Sequence, residues 1–432
     1  MSGGLARVPR MAVICAAVAC LNAMSWLLIT PAFEVPDEPD HFAYVKQLAE
    51  TGQLPSSSSE ELSQEELDVL VALHYERVRL RPQVPAISTQ GEQVALERTI
   101  ASGPRERGSP AAGVAASEPP LYYALEAVPY TLAQSGSVLD RLLAMRVLSA
   151  LFAGLSALFV YLFVREALPA APWAWSVAGL AVALAPLLAF MSGAVNPDAL
   201  LSAVSAALFY CLARAFRRGL SARGAVAIGL VTALGFASKL SFVGLAPGVL
   251  LGLVLLAVRQ ARAHGPAAYR LLAIAGAIAL SPAALVSFHD GSVLELVSQA
   301  SGSAHLGLAE ISCVWQLYLP ALPGTVSDFP GLLTARQIWF DQYVGLYGWL
   351  DTPLPGWVDS LALAPALAIA LLCGRSLFRR RRALRARAGE LLTYAVMSVG
   401  LMALIGAASY NRFPATDAEF GQVRYLLPLL AL

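Results

Sequence analysis

The sequence predicts an all-α, polytopic transmembrane protein with two long extracytoplasmic loops. Three observations carry that prediction. Apolar residues make up 57% of the chain and charged residues 14%, against about 25% charged in an ordinary soluble domain. Apolar runs near 20 residues recur along the chain, so about ten spans fit, each crossing roughly 30 Å of hydrocarbon. The arginines then fall in clusters that sort to one side when the spans alternate.

Membrane segments are expected at 11–30, 141–164, 173–192, 197–216, 224–238, 241–258, 271–289, 358–374, 391–409 and 421–432. Arg7 and Arg10 precede the first and Arg165 follows the second. Arg214, Arg217, Arg218 and Arg223 separate the fourth from the fifth, and Arg259, Arg262 and Arg270 the sixth from the seventh. A dense run from Arg375 to Arg387 lies between the eighth and ninth. All of these share one side if the N-terminus is cytoplasmic, as the positive-inside rule requires. The first segment is expected to be an uncleaved helix rather than a signal peptide, because its apolar run continues past Cys20 and is long enough to span. The whole chain, 1–432, is expected to be one integral-membrane domain. Its last apolar run, Tyr425 to Leu432, is too short to cross and is expected to be a helix cut off at the chain end.

The basic residues are arginine except Lys46 and Lys239, and Ala and Leu abound, which fits a GC-rich bacterial genome and hence an inner-membrane location. A net charge of +1 offers no basic surface for nucleic acid. Cys15, Cys20, Cys211, Cys313 and Cys373 have no metal-type spacing and lie mostly in apolar runs, so ordinary packing is expected of them.

The two long outer loops are 31–140 and 290–357. The first opens with Pro36-Asp37-Glu38-Pro39-Asp40-His41 and a helix from about Phe42 to Thr51. A Ser-rich, acidic stretch and a Pro/Gly-punctuated segment follow to about Gly113, the composition of a flexible surface excursion. Then comes Glu118-Pro119-Pro120-Leu121-Tyr122-Tyr123, opening an amphipathic segment suited to the membrane interface. The second loop holds Trp315, Tyr318, Trp339, Tyr343, Tyr347, Trp349 and Trp357, an aromatic density that fits headgroup depth.

Four ionisable groups in five positions, Asp37, Glu38, Asp40 and His41, form an anionic cluster between two prolines that fix the backbone and discourage helix. A solvated acidic loop would look similar. The functional reading is a general base or a divalent-cation site, since hard cations prefer carboxylate oxygens. Glu118 opens either a proline-started interfacial helix or a second acidic element. Asn196-Pro197-Asp198 suits a helix start, with Pro197 in the first turn, and Asp198 is there either a cap or a functional carboxylate. Lys239 and Arg424 are isolated cations at outer helix ends and break the positive-inside pattern, which points to an anionic phosphate partner.

These motifs resemble integral-membrane glycosyltransferases of the GT-C fold. The resemblance rests on Pro36 to His41 after the first helix, Glu118 to Tyr123, Asn196 to Asp198, and Lys239 after a Gly-rich span. Within that group the chain is similar to a bacterial family of predicted membrane proteins of unknown function, through Leu346 to Asp351, Pro353 to Trp357 and Gln422 to Pro428. The likeness runs over nearly the whole chain. It implies transfer of a sugar from a polyprenyl-phosphate-linked donor to a cell-envelope glycan, lipid or protein. Asp37 would activate the acceptor hydroxyl, with Glu38 its nearest rival. Lys239 and Arg424 would stabilise the leaving phosphate, and Asp40, His41, Glu118, Tyr122, Asn196 and Asp198 would line the substrate site. Some GT-C enzymes use a divalent cation and others do not, so Asp37, Glu38 and Asp40 are its expected ligands if one is bound. Two other readings share the architecture: a transporter or flippase of lipid-linked saccharide, and a non-catalytic subunit of an envelope assembly system. Transporters place ionisable groups near the bilayer midplane, whereas here they gather in outer loops.

Overall fold

The computed structural model describes residues 8–55, 62–81, 83, 84, 87, 89–103, 106–109, 112–290, 308–319, 334–416 and 422–432. The fold is nearly all helix. One short antiparallel ribbon pairs Leu346–Tyr347 with Thr352–Pro353. Six helices are long and apolar enough to cross a membrane: Arg10–Ile29 (α1), Val138–Ala167 (α7), Asp198–Arg218 (α10), Leu240–His264, Gly356–Arg379 and Ala388–Tyr410. A bent pair, Pro172–Ala183 (α8) and Pro186–Ser192 (α9), makes a seventh if its halves, inclined by 53°, form one span. Among the described residues that is fewer than the roughly ten expected. Ala222–Ser238 (α11) is apolar but shorter than a span, and the final run folds as a 3₁₀ turn, Val423–Leu429, not as a membrane helix.

Packing divides the chain into two compact units. One comprises Met1–Ala206 with Leu346–Pro353, the other Ala207–Gly345 with Leu354–Leu432.

In the first unit α1 lies against α7, α8 and α9 and buries a stripe of small residues, Ala12, Cys15, Ala19 and Ala23. A Cβ at Gly154 would come 3.0 Å from the Ala16 carbonyl, so glycine there permits the close approach that membrane helices use in place of a hydrophobic driving force. The opposite face of α1 exposes Leu21, Leu28 and Ile29, as a lipid-facing side would. The ribbon docks on this unit, Tyr347 lying 4.6 Å from Trp26 and 5.4 Å from Phe190 between ring centroids.

The first long loop is built of helices rather than coil. Glu38–Thr51 (α2) has Pro39 in its first turn and ends on left-handed Gly52. Gln64–Ala72 (α3) and Gln90–Ser102 (α5) each start with a reciprocal capping box, Ser63 with Glu66 and Thr89 with Glu92. Tyr75–Val78 (α4) lies between them, and Leu121–Leu132 (α6) precedes α7. The stretch expected to be a flexible excursion is instead pinned to α2. Lys46 Nζ donates to Ser63 Oγ at 2.7 Å and Glu65 at 2.9 Å. Glu50 accepts the Gly108 N–H at 2.6 Å, and Gln47 accepts that of Ser109 at 2.9 Å. Arg141 closes the network on Glu65 and on Tyr130, whose hydroxyl donates to Glu50. Residues 56–61, the Ser-rich part of that expectation, lie outside the described residues.

In the second unit α11 packs on Tyr269–Asp290, and Leu240–His264 on Ala388–Thr416. Phe209 meets Tyr394 edge to face at 5.6 Å. Gly356–Arg379 has no buried residue and offers an apolar surface all round, including the exposed Cys373. None of the five cysteines is paired; Cys15 and Cys313 are buried, while Cys20 and Cys211 are half-buried. The aromatic second loop divides in its use. Trp349 and Tyr347 pack inside the first unit, Trp339 stacks on Tyr318 at 4.8 Å in the second, and Trp357 is exposed.

Candidate functional site

The turn between α1 and α2 makes one tight corner. Phe33 and Asp37 both take left-handed backbone, each with φ 64°, a conformation few non-glycine residues adopt and one that Asp tolerates best. Asp37 caps α2, its carbonyl accepting the His41 N–H at 3.0 Å, and its side chain is half-buried. Glu38, next in sequence, is fully buried and saturated. Arg146 of α7 donates to it at 2.8 and 2.6 Å, and the N–H groups of Phe33 and Val195 each donate at 3.0 Å. The same guanidinium reaches the carbonyls of Leu27, Thr30 and Pro31 at the end of α1. A carboxylate so engaged is a brace for the corner. It lacks the free lone pair a general base needs.

The three loop motifs meet around α2. Asn196 Nδ2 donates to the Pro36 carbonyl at 3.4 Å, and its Oδ1 accepts the Asp198 N–H at 3.0 Å. Asn196 and Asp198 are both buried. His41 Nδ1 lies 3.0 Å from the Tyr123 hydroxyl. Tyr123 in turn stacks on Tyr44 with centroids 3.6 Å apart, and the Tyr44 hydroxyl donates to the Glu118 carbonyl. Tyr122 shares a hydrogen bond of 2.8 Å with Ser149, whose hydroxyl also donates to Glu126. Burial pushes the Glu126 carboxyl well above the usual range. Asp37, Glu38, Asp40, His41, Glu118, Tyr122, Asn196 and Asp198 thus belong to one neighbourhood of the first unit.

Two further carboxyls there are tuned. Burial, then the charge of Asp37, raises Asp40 to about 6, while the Val114 N–H, 3.3 Å from Oδ2, and the Arg79 charge pull the other way. Burial, then Asp351 and Glu38, raises Glu34 to about 7. Carboxyls titrating this close to neutrality can exchange protons under physiological conditions. Among the described residues no three His, Cys, Asp or Glu side chains gather as a metal-ligand set. Of the three expected ligands, Glu38 already has both oxygens engaged.

The two isolated cations, Lys239 and Arg424, meet in the second unit, on Tyr425. Lys239 Nζ lies 5.7 Å and Arg424 Cζ 5.2 Å from the centre of its ring. Both are nearly buried. The π-face offsets part of the repulsion between two cations brought to one residue.

A family model described as Predicted membrane protein (DUF2142) matches residues 20–432. The chain belongs to that family. It is a multi-pass membrane protein, and the matched stretch takes in every residue of the site. No curated protein and no solved structure matches the chain.

In this DUF2142 chain several residues that matter escape a reading of the sequence. Arg146 and Arg141 lie within an expected membrane segment, near its N-terminal end. An arginine inside an apolar run is itself a signal, and that criterion, applied within the segment, finds them. Arg79, Glu34 and Glu126 carry no such signal: an arginine, a glutamate before a proline corner and a glutamate in an amphipathic helix are ordinary until their neighbours are known.

Proposed function

We propose that this protein transfers a sugar from a polyprenyl-phosphate-linked donor to an envelope acceptor, with Asp37 as general base. The observation that carries the reading is the split between adjacent carboxylates. Glu38 is locked by Arg146, while Asp37 is held half-buried at a left-handed helix cap beside Asp40, whose pKa is about 6. The bracing of Glu38 by Arg146 supports Asp37 in the role, since it fixes the backbone from which Asp37 projects.

In the reaction the Asp37 carboxylate removes the proton of the acceptor hydroxyl as that oxygen bonds to the anomeric carbon. The bond from the anomeric carbon to the donor's phosphate oxygen breaks, and the lipid phosphate leaves with that electron pair. Lys239 and Arg424 stabilise the phosphate charge. Direct displacement inverts the anomeric centre. The test is transfer from a panel of radiolabelled polyprenyl-phosphate sugars by full-length protein beside Asp37→Asn. Transfer by the wild type, abolished in the variant, supports the reading. Equal transfer by both removes Asp37 from the chemistry.

A further inference from the structure

We infer that Arg79 forms an oxyanion site in the first unit, one that takes the singly charged phosphodiester of a membrane-lipid headgroup. This site is separate from the phosphate assigned to Lys239 and Arg424, and it does not rest on the transferase reading.

The argument begins with a contrast between three arginines of the unit. Arg146 engages Glu38 and three backbone carbonyls. Arg141 engages Glu65, the Tyr130 hydroxyl and the Ser137 carbonyl. Arg79 engages nothing of the kind. Among the described residues it forms no ion pair, and its buried Nε has no hydrogen-bond partner. Its guanidinium lies over aromatic rings instead, with Cζ 4.2 Å from the centre of Trp349 and 5.6 Å from Tyr75. Stacking of this sort fixes the plane of the five-donor fork without using its hydrogen bonds. The residue is half-buried, so the terminal nitrogens are the accessible end of a preorganised donor.

The platform under it is firmly built. Trp349 Nε1 donates to the Phe33 carbonyl at 3.0 Å. All five non-glycine residues with positive φ among the described residues lie in this unit: Phe33, Asp37, His74, Leu80 and Leu350. His74 caps the helix that carries Arg79, Leu80 follows Arg79, and Leu350 follows Trp349. Bulky residues in left-handed backbone are costly, and such conformations persist where the surrounding structure over-determines them.

Depth and charge select the ligand. Phe33 lies just beyond the last turn of α1, which exposes Leu28 and Ile29, and Leu80 beside Arg79 is itself exposed. Arg79 is therefore two contacts from the end of a membrane span, at the level of lipid phosphates. Asp40 lies close enough to feel the Arg79 charge, and Asp37 adds to the negative field there. A dianion meets that field twice over, a monoanionic diester once.

The test is equilibrium titration of full-length protein in dodecyl maltoside with glycerophosphoglycerol, phosphatidylglycerol in mixed micelles, inorganic phosphate and acetate. The wild type should bind the diesters more tightly than phosphate or acetate. Arg79→Gln should weaken diester binding about tenfold or more, the size of a lost charge-assisted pair. Phosphatidylglycerol binding more tightly than the soluble diester marks the lipid as the source; the reverse marks a soluble one and overturns the headgroup assignment. Unchanged affinity in Arg79→Gln, acetate binding as well as the diesters, or no saturable binding overturns the site. Should Arg79→Gln not fold, Arg79→Lys decides by the same measure, since it keeps the charge and loses the fork: weaker binding supports the site, and wild-type affinity overturns it.

Discussion

Arg146 on α7 grips Glu38 on α2 through two hydrogen bonds, 2.8 and 2.6 Å, in a spot from which solvent is excluded. That pair ties the end of the first span to the first turn of the loop helix and to the Val195 N–H ahead of α10. Removing one partner leaves a buried charge alone, which costs about 3–5 kcal/mol. Arg146→Ala and Glu38→Ala should each lower the melting temperature sharply in detergent, and the double variant should recover part of the loss. Equal and additive losses would mean that the two side chains act independently.

Asp37 separates stability from function. A left-handed residue with a Cβ is strained by about 1–2 kcal/mol, and glycine relieves that strain. Asp37→Gly should therefore melt no lower than the wild type and transfer no sugar. Asp37→Asn should also fold normally and be inactive. A fall in melting temperature with Asp37→Gly would reassign the residue to holding the corner.

Most of the fold was legible, because a lipid-facing helix announces itself by an uninterrupted apolar run: α1, α7 and α10 lie within a few residues of where such runs predict them. Overcounting arose where apolar character outlasts helical length, as in α11 and in Val423–Leu429, since burial in protein and burial in lipid favour the same residues. The site was legible as a set of motifs but not as an arrangement. Nothing in Pro36 to His41 says that Glu38 is the carboxylate locked in place, because that depends on Arg146, more than a hundred positions away. The excursion after α2 was misread for a related reason. Its Ser, Glu and Gly residues suit a solvated loop equally well, and only pairing with Lys46, Gln47 and Glu50 turns them into structure.

Glu34 and Asp40 predict a pH profile for stability. Their folded pKa values, about 7 and about 6, lie above the ordinary carboxyl range of the unfolded chain. The folded state then holds protons that the unfolded state releases, so this contribution is fully present below about pH 4 and is lost as pH rises through 6 and 7. Melting temperature should fall between pH 5 and pH 7.5. The slope should flatten in the Glu34→Gln, Asp40→Asn double variant, and a profile in which that variant keeps the full slope would place the titration elsewhere.

Lys239 and Arg424 both lie over the Tyr425 ring, and on the transferase reading they act on the donor. Lys239→Ala should raise the donor KM by about tenfold, as expected for one charge-assisted contact to phosphate, and leave the acceptor KM nearly unchanged. An unchanged donor KM would remove Lys239 from phosphate binding.

Lys46 carries the last prediction, because its two shortest bonds both reach across to the excursion: 2.7 Å to Ser63 Oγ and 2.9 Å to Glu65. Its ammonium is fully buried, so the cost of taking it out of water is offset only by those partners and by Glu66 at 3.8 Å. Lys46→Met keeps the aliphatic stem and removes the charge. Glu65 then retains Arg141, whereas Glu66, whose carboxyl burial already pushes upward, loses its nearest cation and becomes more readily neutral. The capping box at Ser63 weakens with it, since that box needs the Glu66 carboxylate as acceptor. Limited proteolysis should therefore cut Lys46→Met within residues 62–109 several times faster than the wild type, while cleavage elsewhere keeps its rate. Uniformly faster cleavage along the chain would instead mean that Lys46 supports global stability, and that the excursion is held by Glu50 and Gln47 alone.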